Sequence, residues 1–266
     1  MRGLLALILA VAAPQQAPPL PAADEPLPSR PAQLAAAFTD STRRLRATGW
    51  DGTGAIPREV TYLALHHQRI LRRMAERRTL GDKTLAALPN DVKGEARDTV
   101  RARRYIDSIP RGKPPRVRVA AAAPAADLRA YYADAQRRFG IDWSVLAAIN
   151  FVESAFGRVR SASEAGARGP MQFLPSTWAA YGAGGDIEDP HDAILAAARY
   201  LKASGAPREL DRALYAYNHS TAYVRAIRRF AARMRRNERA FRTYYAWQVY
   251  VRTPSGGTRR ITGPRR

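Results

Sequence analysis

The sequence WSVLAAINFVESAFG, residues 143–157, decides the fold of the second half of the chain. Asp142 precedes it and is a residue type that caps helices, so we predict a helix from Trp143 to Phe156. Within it, apolar and polar positions share one helical face at steps of three and four: Leu146, Ile149, Asn150 and Glu153. The pattern therefore places a glutamate on the face that should pack against the core.

Glu153 is the candidate catalytic residue that this pattern suggests. Partial burial would raise the pKa of its carboxyl group and keep it protonated near neutral pH, as a general acid requires. The alternative is a structural glutamate at a helix end, paired with Arg158 or Arg160. The helical pattern alone does not choose between these two roles.

Helical patterns continue on both sides of this segment. We predict a helix from Leu128 to Phe139 that Gly140 closes, because glycine adopts the left-handed conformation common after helix ends. Asp189-Pro190 provides a cap and a first-turn proline for a helix ending at Gly205. Ser220 caps a last long helix with an apolar stripe: Tyr223, Ile227, Phe230 and Met234.

The C-terminal region departs from the helical period. From residue 245 to residue 251, large apolar residues alternate with other residues, and Pro254-Ser255-Gly256-Gly257 then favours a turn before Thr258–Thr262. This pattern predicts a short β-hairpin.

The first half of the chain also has a helical pattern, from Ala32 to about Ile109. Its longest predicted piece runs from Arg58 to Arg78, with one apolar stripe that can bury against a neighbour. His66-His67 lies in this piece, and we interpret the pair as structural because no third histidine or spaced carboxylate accompanies it. We expect a small helical module whose function the sequence does not define.

Composition shifts divide the chain into six predicted segments. Met1-Arg2-Gly3 and the apolar run that follows are typical of a secretory signal, although an uncleaved anchor or a wrong start codon would give the same pattern. Proline-rich stretches predict linkers. The segments are a signal peptide at 1–17, a Pro/Ala-rich linker at 18–31, a helical module at 32–109, a linker at 110–126, a catalytic domain at 127–252 and a basic tail at 253–266.

The chain has no cysteine and a formal net charge of +21. The absence of cysteine excludes disulfides, thiolate metal sites and a cysteine nucleophile. No phosphate loop, nucleotide fingerprint or metal-ligand cluster is present, so we expect no cofactor and no metal.

Positive charge is concentrated near the C-terminus, where residues 225–266 contain 13 arginines and the single acid Glu238. Such a segment favours contact with an anionic wall polymer or a membrane surface, because clustered arginines attract phosphate. Nucleic acid is not expected, since the sequence contains no recognisable nucleic-acid module. A general preference for arginine on solvated helices is the alternative explanation.

Three separated segments carry a more specific pattern: Phe151-Val152-Glu153-Ser154-Ala155-Phe156-Gly157, Gly169-Pro170-Met171-Gln172 and Ala216-Tyr217-Asn218. Their order and spacing resemble the signature of soluble lytic transglycosylases, the SLT domain of the lysozyme-like superfamily. The resemblance covers roughly residues 126–246. It implies a mainly α fold: a lysozyme-like catalytic domain, to which the N-terminal helical module and the short C-terminal β-hairpin are added.

The resemblance also implies a reaction on the glycan strands of peptidoglycan. Glu153 would protonate the oxygen between N-acetylmuramic acid and N-acetylglucosamine. It would then accept the proton of the muramyl 6-hydroxyl, which closes a 1,6-anhydro ring without water. The chain would be a carbon–oxygen lyase, exported to the periplasm, the cell wall or the medium.

The other motif residues acquire roles from the same resemblance. Tyr217 would donate a hydrogen bond to Glu153, and Ser154 and Asn218 would position the carboxylate or the substrate. Gly169, Met171 and Gln172 would belong to the opposite wall of the cleft, with the last two lining a sugar subsite.

Two alternatives remain at this stage. A hydrolytic muramidase needs a second carboxylate across the cleft, for which the candidates are Glu164, Asp186, Glu188 and Asp189. Asp189 is explained equally by helix capping. A peptidoglycan-binding protein without activity is the second alternative. The chain also departs from the family pattern at Pro170 and His219, which leaves its finer substrate preference open.

Overall fold

The computed structural model describes residues 18–110, 117–253 and 257–264. The predicted signal peptide, part of the predicted linker at 110–126 and part of the predicted basic tail lie outside the described residues. Of the helices in the described part, none is long and apolar enough to cross a membrane.

The fold is mainly α, as predicted. The described residues form eleven helices and one two-stranded sheet. Four helices come from the first half of the chain: α1 (Pro31–Ala47), α2 (Arg58–Glu76), α3 (Arg78–Ala87) and α4 (Asn90–Ser108). Seven follow: α5 (Ala125–Phe139), α6 (Trp143–Ser154), α7 (Pro175–Tyr181), α8 (Pro190–Ala203), α9 (Leu210–Tyr217), α10 (Thr221–Arg236) and α11 (Arg239–Tyr245).

The predicted helix caps are confirmed. Gly140 has a φ of 74° after α5, and the Asp142 carboxylate accepts the Ser144 amide at the start of α6. Asp189 caps α8 and Ser220 caps α10 in the same way. These short polar side chains satisfy amides that no earlier carbonyl can reach.

The predicted helix from Arg58 to Arg78 is α2, which begins at Arg58 as predicted and ends at Glu76, before α3 begins at Arg78. Arg77 has φ −100° and ψ 84°, outside the helical region, and separates α2 from α3. Gly81 allows the two helices to meet closely, because a Cβ atom there would lie 2.1 Å from the Met74 carbonyl oxygen. Gly81, just beyond the predicted helix, therefore marks a close contact between α2 and α3.

The predicted C-terminal hairpin is confirmed. β1 (Tyr250–Arg252) pairs with β2 (Thr258–Arg260) in antiparallel fashion, with Val251 opposite Arg259. The strands are shorter than the alternating pattern suggested, because Tyr245 still belongs to α11.

The two predicted linkers are bound to the helices around them. Arg44 donates to the carbonyl oxygens of Pro18 and Pro19, so the start of the first linker lies against α1. Val119 forms a β-bridge with Val159, just beyond α6. Both segments therefore add extended backbone to the helical body, although their composition is that of spacers.

Helices from both halves of the chain share one hydrophobic core, and α4 packs along α10. The buried Tyr244 and Thr99 hydroxyls, from α11 and α4, lie 2.7 Å apart. The Gln68 side chain exchanges two hydrogen bonds with the Gln248 backbone, of 2.8 and 2.9 Å. Polar and apolar contacts thus join the first helices to the α6–α11 region.

Candidate active site

Glu153 lies in the last turn of α6, and its side chain is half-buried. The helix ends at Ser154 and not at Phe156 as predicted, because Ala155 and Phe156 have φ values of 52° and 64°. Three consecutive left-handed residues, the last being Gly157, turn the chain sharply away from the helix axis. The turn leaves the carboxylate at the edge of the helix, beside the segment that follows.

Asn150 and Ser154, one turn apart on α6, hold that neighbouring segment. The Asn150 side-chain nitrogen and the Ser154 hydroxyl both donate to the Pro170 carbonyl oxygen, at 2.8 and 2.5 Å. Ser154 also accepts the Gly157 amide at 2.8 Å, and Asn150 accepts the Tyr132 hydroxyl at 2.6 Å. Ser154 is buried and braces the wall of the site from behind, and the expectation that it positions the carboxylate or the substrate stays a prediction.

The segment from Arg168 to Phe173 forms a tight loop that is closed by two backbone hydrogen bonds between its ends, of 2.8 and 2.9 Å. Gly169 has a φ of 74°, and a Cβ atom at this position would lie only 1.9 Å from the Ile187 carbonyl oxygen. Only glycine fits both the conformation and the space. Gly169 therefore has a structural role in the wall.

The Met171 side chain differs from the sequence expectation, whereas the place of Gln172 in a sugar subsite stays a prediction. Met171 is fully buried and faces the core, so its side chain does not line a sugar subsite. Gln172 has a φ of 51°, is half-buried, and donates to the Gly169 carbonyl oxygen at 3.0 Å. Both residues thereby fix the shape of the loop.

Two tyrosines stand over Glu153, and their roles correct the sequence prediction. The Tyr223 hydroxyl donates to Glu153 Oε1 at 2.7 Å. Tyr217, which was expected to make this bond, donates to the Met171 carbonyl oxygen at 2.7 Å. The two rings are nearly parallel, with an interplanar angle of 4° and centroids 6.5 Å apart. Tyr223 thus orients the carboxylate, and Tyr217 ties α9 to the opposite wall.

Burial and the charge of Glu153 raise the pKa of both tyrosines well above the usual value. Both hydroxyls therefore remain protonated in the physiological range and act as hydrogen-bond donors. A donor aimed at a carboxylate favours its ionised form. The site therefore combines the Glu153 carboxylate with a tyrosine hydroxyl that stays protonated, next to the loop of residues 168–173.

Sequence reasoning assigned Tyr223 only to the apolar stripe of the last helix. The Ser220 hydroxyl accepts the Tyr223 amide at 3.3 Å, so the predicted cap fixes the position of this tyrosine in the first turn of α10. A buried tyrosine hydroxyl needs a hydrogen-bond partner. This requirement predicts that the Tyr223 hydroxyl has a partner, but it does not identify Glu153 as that partner.

The remaining motif residue, Asn218, is half-buried at the C-terminal end of α9. Beyond it, the exposed His219 packs edge-on against Tyr215, which is 44% exposed. Trp178 is half-buried against Phe173. The exposed Tyr215 and His219 rings are therefore the aromatic surface next to Asn218.

The candidate second carboxylates are largely explained by local structure. Asp189 accepts the Asp192 amide at 2.9 Å as the cap of α8. Asp186 accepts the Glu188 amide at 2.9 Å, and the Glu188 carboxylate lies 3.7 Å from Arg168. Glu164 is exposed in its loop. Capping and pairing thus account for three of the four acids.

Comparison with known proteins agrees with this geometry. Residues 130–239 match the family model described as the transglycosylase SLT domain. The chain is 36% identical over 113 residues to the membrane-bound lytic murein transglycosylase F of Thiobacillus denitrificans (strain ATCC 25259 / T1). The alignment covers 40% of this chain and 24% of that protein, so the chain spans about a quarter of the length of this relative. No solved structure matches the chain.

Proposed function

We propose that this chain is a lytic transglycosylase of peptidoglycan, because residues 130–239 match the transglycosylase SLT domain and the chain resembles a lytic murein transglycosylase. The substrate is the glycosidic bond between N-acetylmuramic acid and N-acetylglucosamine. The observation that carries the proposal is the Glu153 carboxylate, half-buried and held by the Tyr223 hydroxyl beside the loop of Gly169.

In the first step, protonated Glu153 transfers its proton to the glycosidic oxygen as the bond to the anomeric carbon breaks. N-acetylglucosamine leaves as an alcohol, and the muramyl residue carries positive charge at that carbon. Charge that develops on Glu153 is stabilised by the Tyr223 hydroxyl, which already points at Oε1.

In the second step, ionised Glu153 accepts the proton of the muramyl 6-hydroxyl. The oxygen then attacks the anomeric carbon and closes the 1,6-anhydro ring. Water is not consumed and the acid returns to its protonated form, so one carboxylate serves both steps. Asn218 and the exposed rings of Tyr215 and His219 would hold the flanking sugars, since aromatic faces pack against sugar rings.

The test is mass spectrometry of the fragments released from purified peptidoglycan, with the Glu153→Gln protein in parallel. We expect 1,6-anhydromuramyl ends from the unaltered protein and a loss of at least about 100-fold in release from the variant. Reducing ends would instead identify a hydrolytic muramidase and direct attention to Glu164. No release by either protein would favour a peptidoglycan-binding protein without activity.

The same proposal places the protein outside the cytoplasm, where peptidoglycan lies. The apolar run from Leu4 to Ala13 supports this location as a signal peptide. Cell fractionation and N-terminal sequencing of the exported protein test it, and a full-length protein retained in the cytoplasm would contradict it.

A further inference from the structure

A second concave surface lies outside the SLT domain, where the end of α2 and the start of α3 meet α4 and the β1–β2 hairpin. Two adjoining cavities of about 290 and 540 Å³ share Arg72, Glu76 and Thr258 in their walls. We call this surface the basic cleft. Seven arginines line it, against two carboxylates, those of Glu76 and Asp107.

Arg72 is the centre of the basic cleft. It is 8% exposed, stacks over the Tyr250 ring at 4.1 Å and donates to the Thr258 hydroxyl at 2.8 Å. Burial, together with the charge of Arg103, lowers the pKa of Arg72 to about 10. The protein therefore holds a guanidinium in a position where its charge is poorly solvated and repelled by another cation.

The two carboxylates do not compensate for the arginines. Glu76, half of whose side chain is exposed, lies 3.4 Å from Arg72, and Asp107 lies 3.6 Å from Arg103. Both acids are thus already engaged. The exposed arginines 77, 78 and 252 have no ion pair with any residue in the described part of the chain.

Donor groups around the basic cleft also lack acceptors. The buried Nε atoms of Arg73, Arg103 and Arg104 have no hydrogen-bond partner among the described residues. Buried donors are normally paired, so their clustering is unusual. Arg104 is further engaged by Asp82 at 2.8 Å, so the donors that the cleft offers to a ligand are the exposed guanidinium groups of Arg77, Arg78 and Arg252. An anion with several acceptor oxygens is the chemical complement of these groups.

The sequence predicted an anionic contact through residues 225–266, but the structure pairs several arginines of that segment. Arg233 binds Glu95, Arg236 binds Asp98, and Arg229 lies 3.8 Å from Asp98. These acids come from α4. The unpaired positive charge of the described chain is therefore better represented by the basic cleft than by α10.

We propose that the basic cleft binds the phosphodiester groups of a linear anionic polymer. Guanidinium groups bind phosphate through paired hydrogen bonds, and the two connected cavities exceed the size of one phosphate group. A recessed surface admits a chain more readily than the face of a bilayer. Arg72 covers one face of the Tyr250 ring, which leaves it at most one face for stacking on a base and disfavours nucleic acid.

The experiment measures binding of the full chain to poly(glycerol phosphate) by calorimetry over a range of salt concentrations. The test variant is Arg77→Gln/Arg78→Gln/Arg252→Gln, all at exposed positions, so that the fold is retained. The control is Arg225→Gln/Arg228→Gln/Arg235→Gln, which removes the same charge from exposed positions of α10. Polyglutamate, phosphatidylglycerol vesicles and a single-stranded DNA oligonucleotide are the competing ligands.

We expect the affinity of the cleft variant to fall at least 10-fold, while that of the control changes less than threefold. The slope of the logarithm of the binding constant against the logarithm of the salt concentration should be smaller by about two to three in the cleft variant. Release of fragments from soluble glycan strands stays unchanged in the cleft variant, which separates this proposal from the catalytic one. Equal losses in both variants, equal cleft-dependent binding of polyglutamate or DNA, or cleft-dependent binding to vesicles alone would each overturn the proposal.

Discussion

At the level of single residues, the proposed catalysis depends on the contact between Glu153 and Tyr223. Removing the hydroxyl with Tyr223→Phe deletes one charge-assisted hydrogen bond, worth about 1.5–3 kcal/mol, from the ionised carboxylate. We expect a loss of about 10- to 150-fold in kcat. The alkaline limb of the pH–rate profile should move to higher pH, because the missing donor had favoured ionisation of the acid.

The matched control is Tyr217→Phe, which removes a hydroxyl from the parallel ring nearby. Its hydrogen bond goes to the Met171 carbonyl oxygen, so its loss should loosen the wall and raise KM without moving the pH limb. If instead Tyr217→Phe shifts the limb and Tyr223→Phe does not, the orienting role belongs to Tyr217, as the sequence suggested.

The sequence identifies Glu153 as the candidate acid but not its hydrogen-bond partner. A helical period places Glu153 on the inner face of α6, and this follows from local geometry alone. Which of two tyrosines reaches it depends on how α9 and α10 pack on α6, and no local rule contains that information. Asn150 was also missed as a brace, because its bond to Pro170 joins residues far apart in the chain.

At the level of elements, the loop of residues 168–173, which forms one wall of the site, depends on the close approach of its backbone to Ile187. Gly169→Ala combines a left-handed φ with a Cβ atom 1.9 Å from the Ile187 carbonyl oxygen. We expect a loss of about 3 kcal/mol or more in the free energy of unfolding. Thermal unfolding of the full chain should show a fall in Tm of several degrees, since about 1 kcal/mol corresponds to 2–4 °C at this size.

Gly166→Ala is the control in the same region of the chain. Gly166 also has a positive φ, of 82°, but a Cβ atom added there would have no neighbour within 4 Å, so only the conformational cost of about 1–2 kcal/mol applies. The difference between the two variants isolates the close approach to Ile187. Equal stability of the two proteins would show that the wall can shift to accept a side chain.

The capped helix starts were predicted correctly in this chain, whereas the end of α6 was not. Caps at Asp142, Asp189 and Ser220 follow from one side chain bonding to one nearby amide, so a short window of sequence contains the whole cause. The end of α6 differs because Ala155 and Phe156 are left-handed without being glycines. Their conformation is stabilised by tertiary contacts such as the packing of Phe156 on Phe241, which sequence spacing does not reveal.

At the scale of the whole molecule, a buried ionic cluster adds to the contacts between the first and second halves of the described chain. Glu95 of α4 is 8% exposed and contacts Arg233 of α10, Arg46 of α1 and His67 of α2. Burial by itself would raise the pKa of Glu95, but His67, Arg233 and Arg46 outweigh it and lower the pKa to about 2. We therefore propose that the helical module and the catalytic domain unfold as one cooperative unit.

Acid titration tests this coupling. The pKa of Glu95 is about 2 when folded, against 4.5 for an unperturbed carboxyl, so its stabilising contribution is complete above pH 4.5 and is lost as the pH falls toward 2. Glu95→Gln should cost about 3 kcal/mol at pH 7, because it leaves the largely buried Arg233 guanidinium without its anion, whereas Arg46 keeps Asp91 at 3.7 Å. The difference between the two proteins should shrink steadily below pH 4.5.

Urea unfolding between pH 7 and pH 2.5, followed by hydrogen exchange of α2 and α10, measures both the cost and the cooperativity. Asp211→Asn is the control, because its carboxylate is 69% exposed and pairs with Arg228 at the surface; we expect a change within about 0.5 kcal/mol. If the effect of Glu95→Gln on the free energy of unfolding does not depend on pH, the ionised Glu95 carboxylate is not the source of the stabilisation. Separate unfolding transitions for α2 and α10 would show that the shared core does not make the two halves a single cooperative unit.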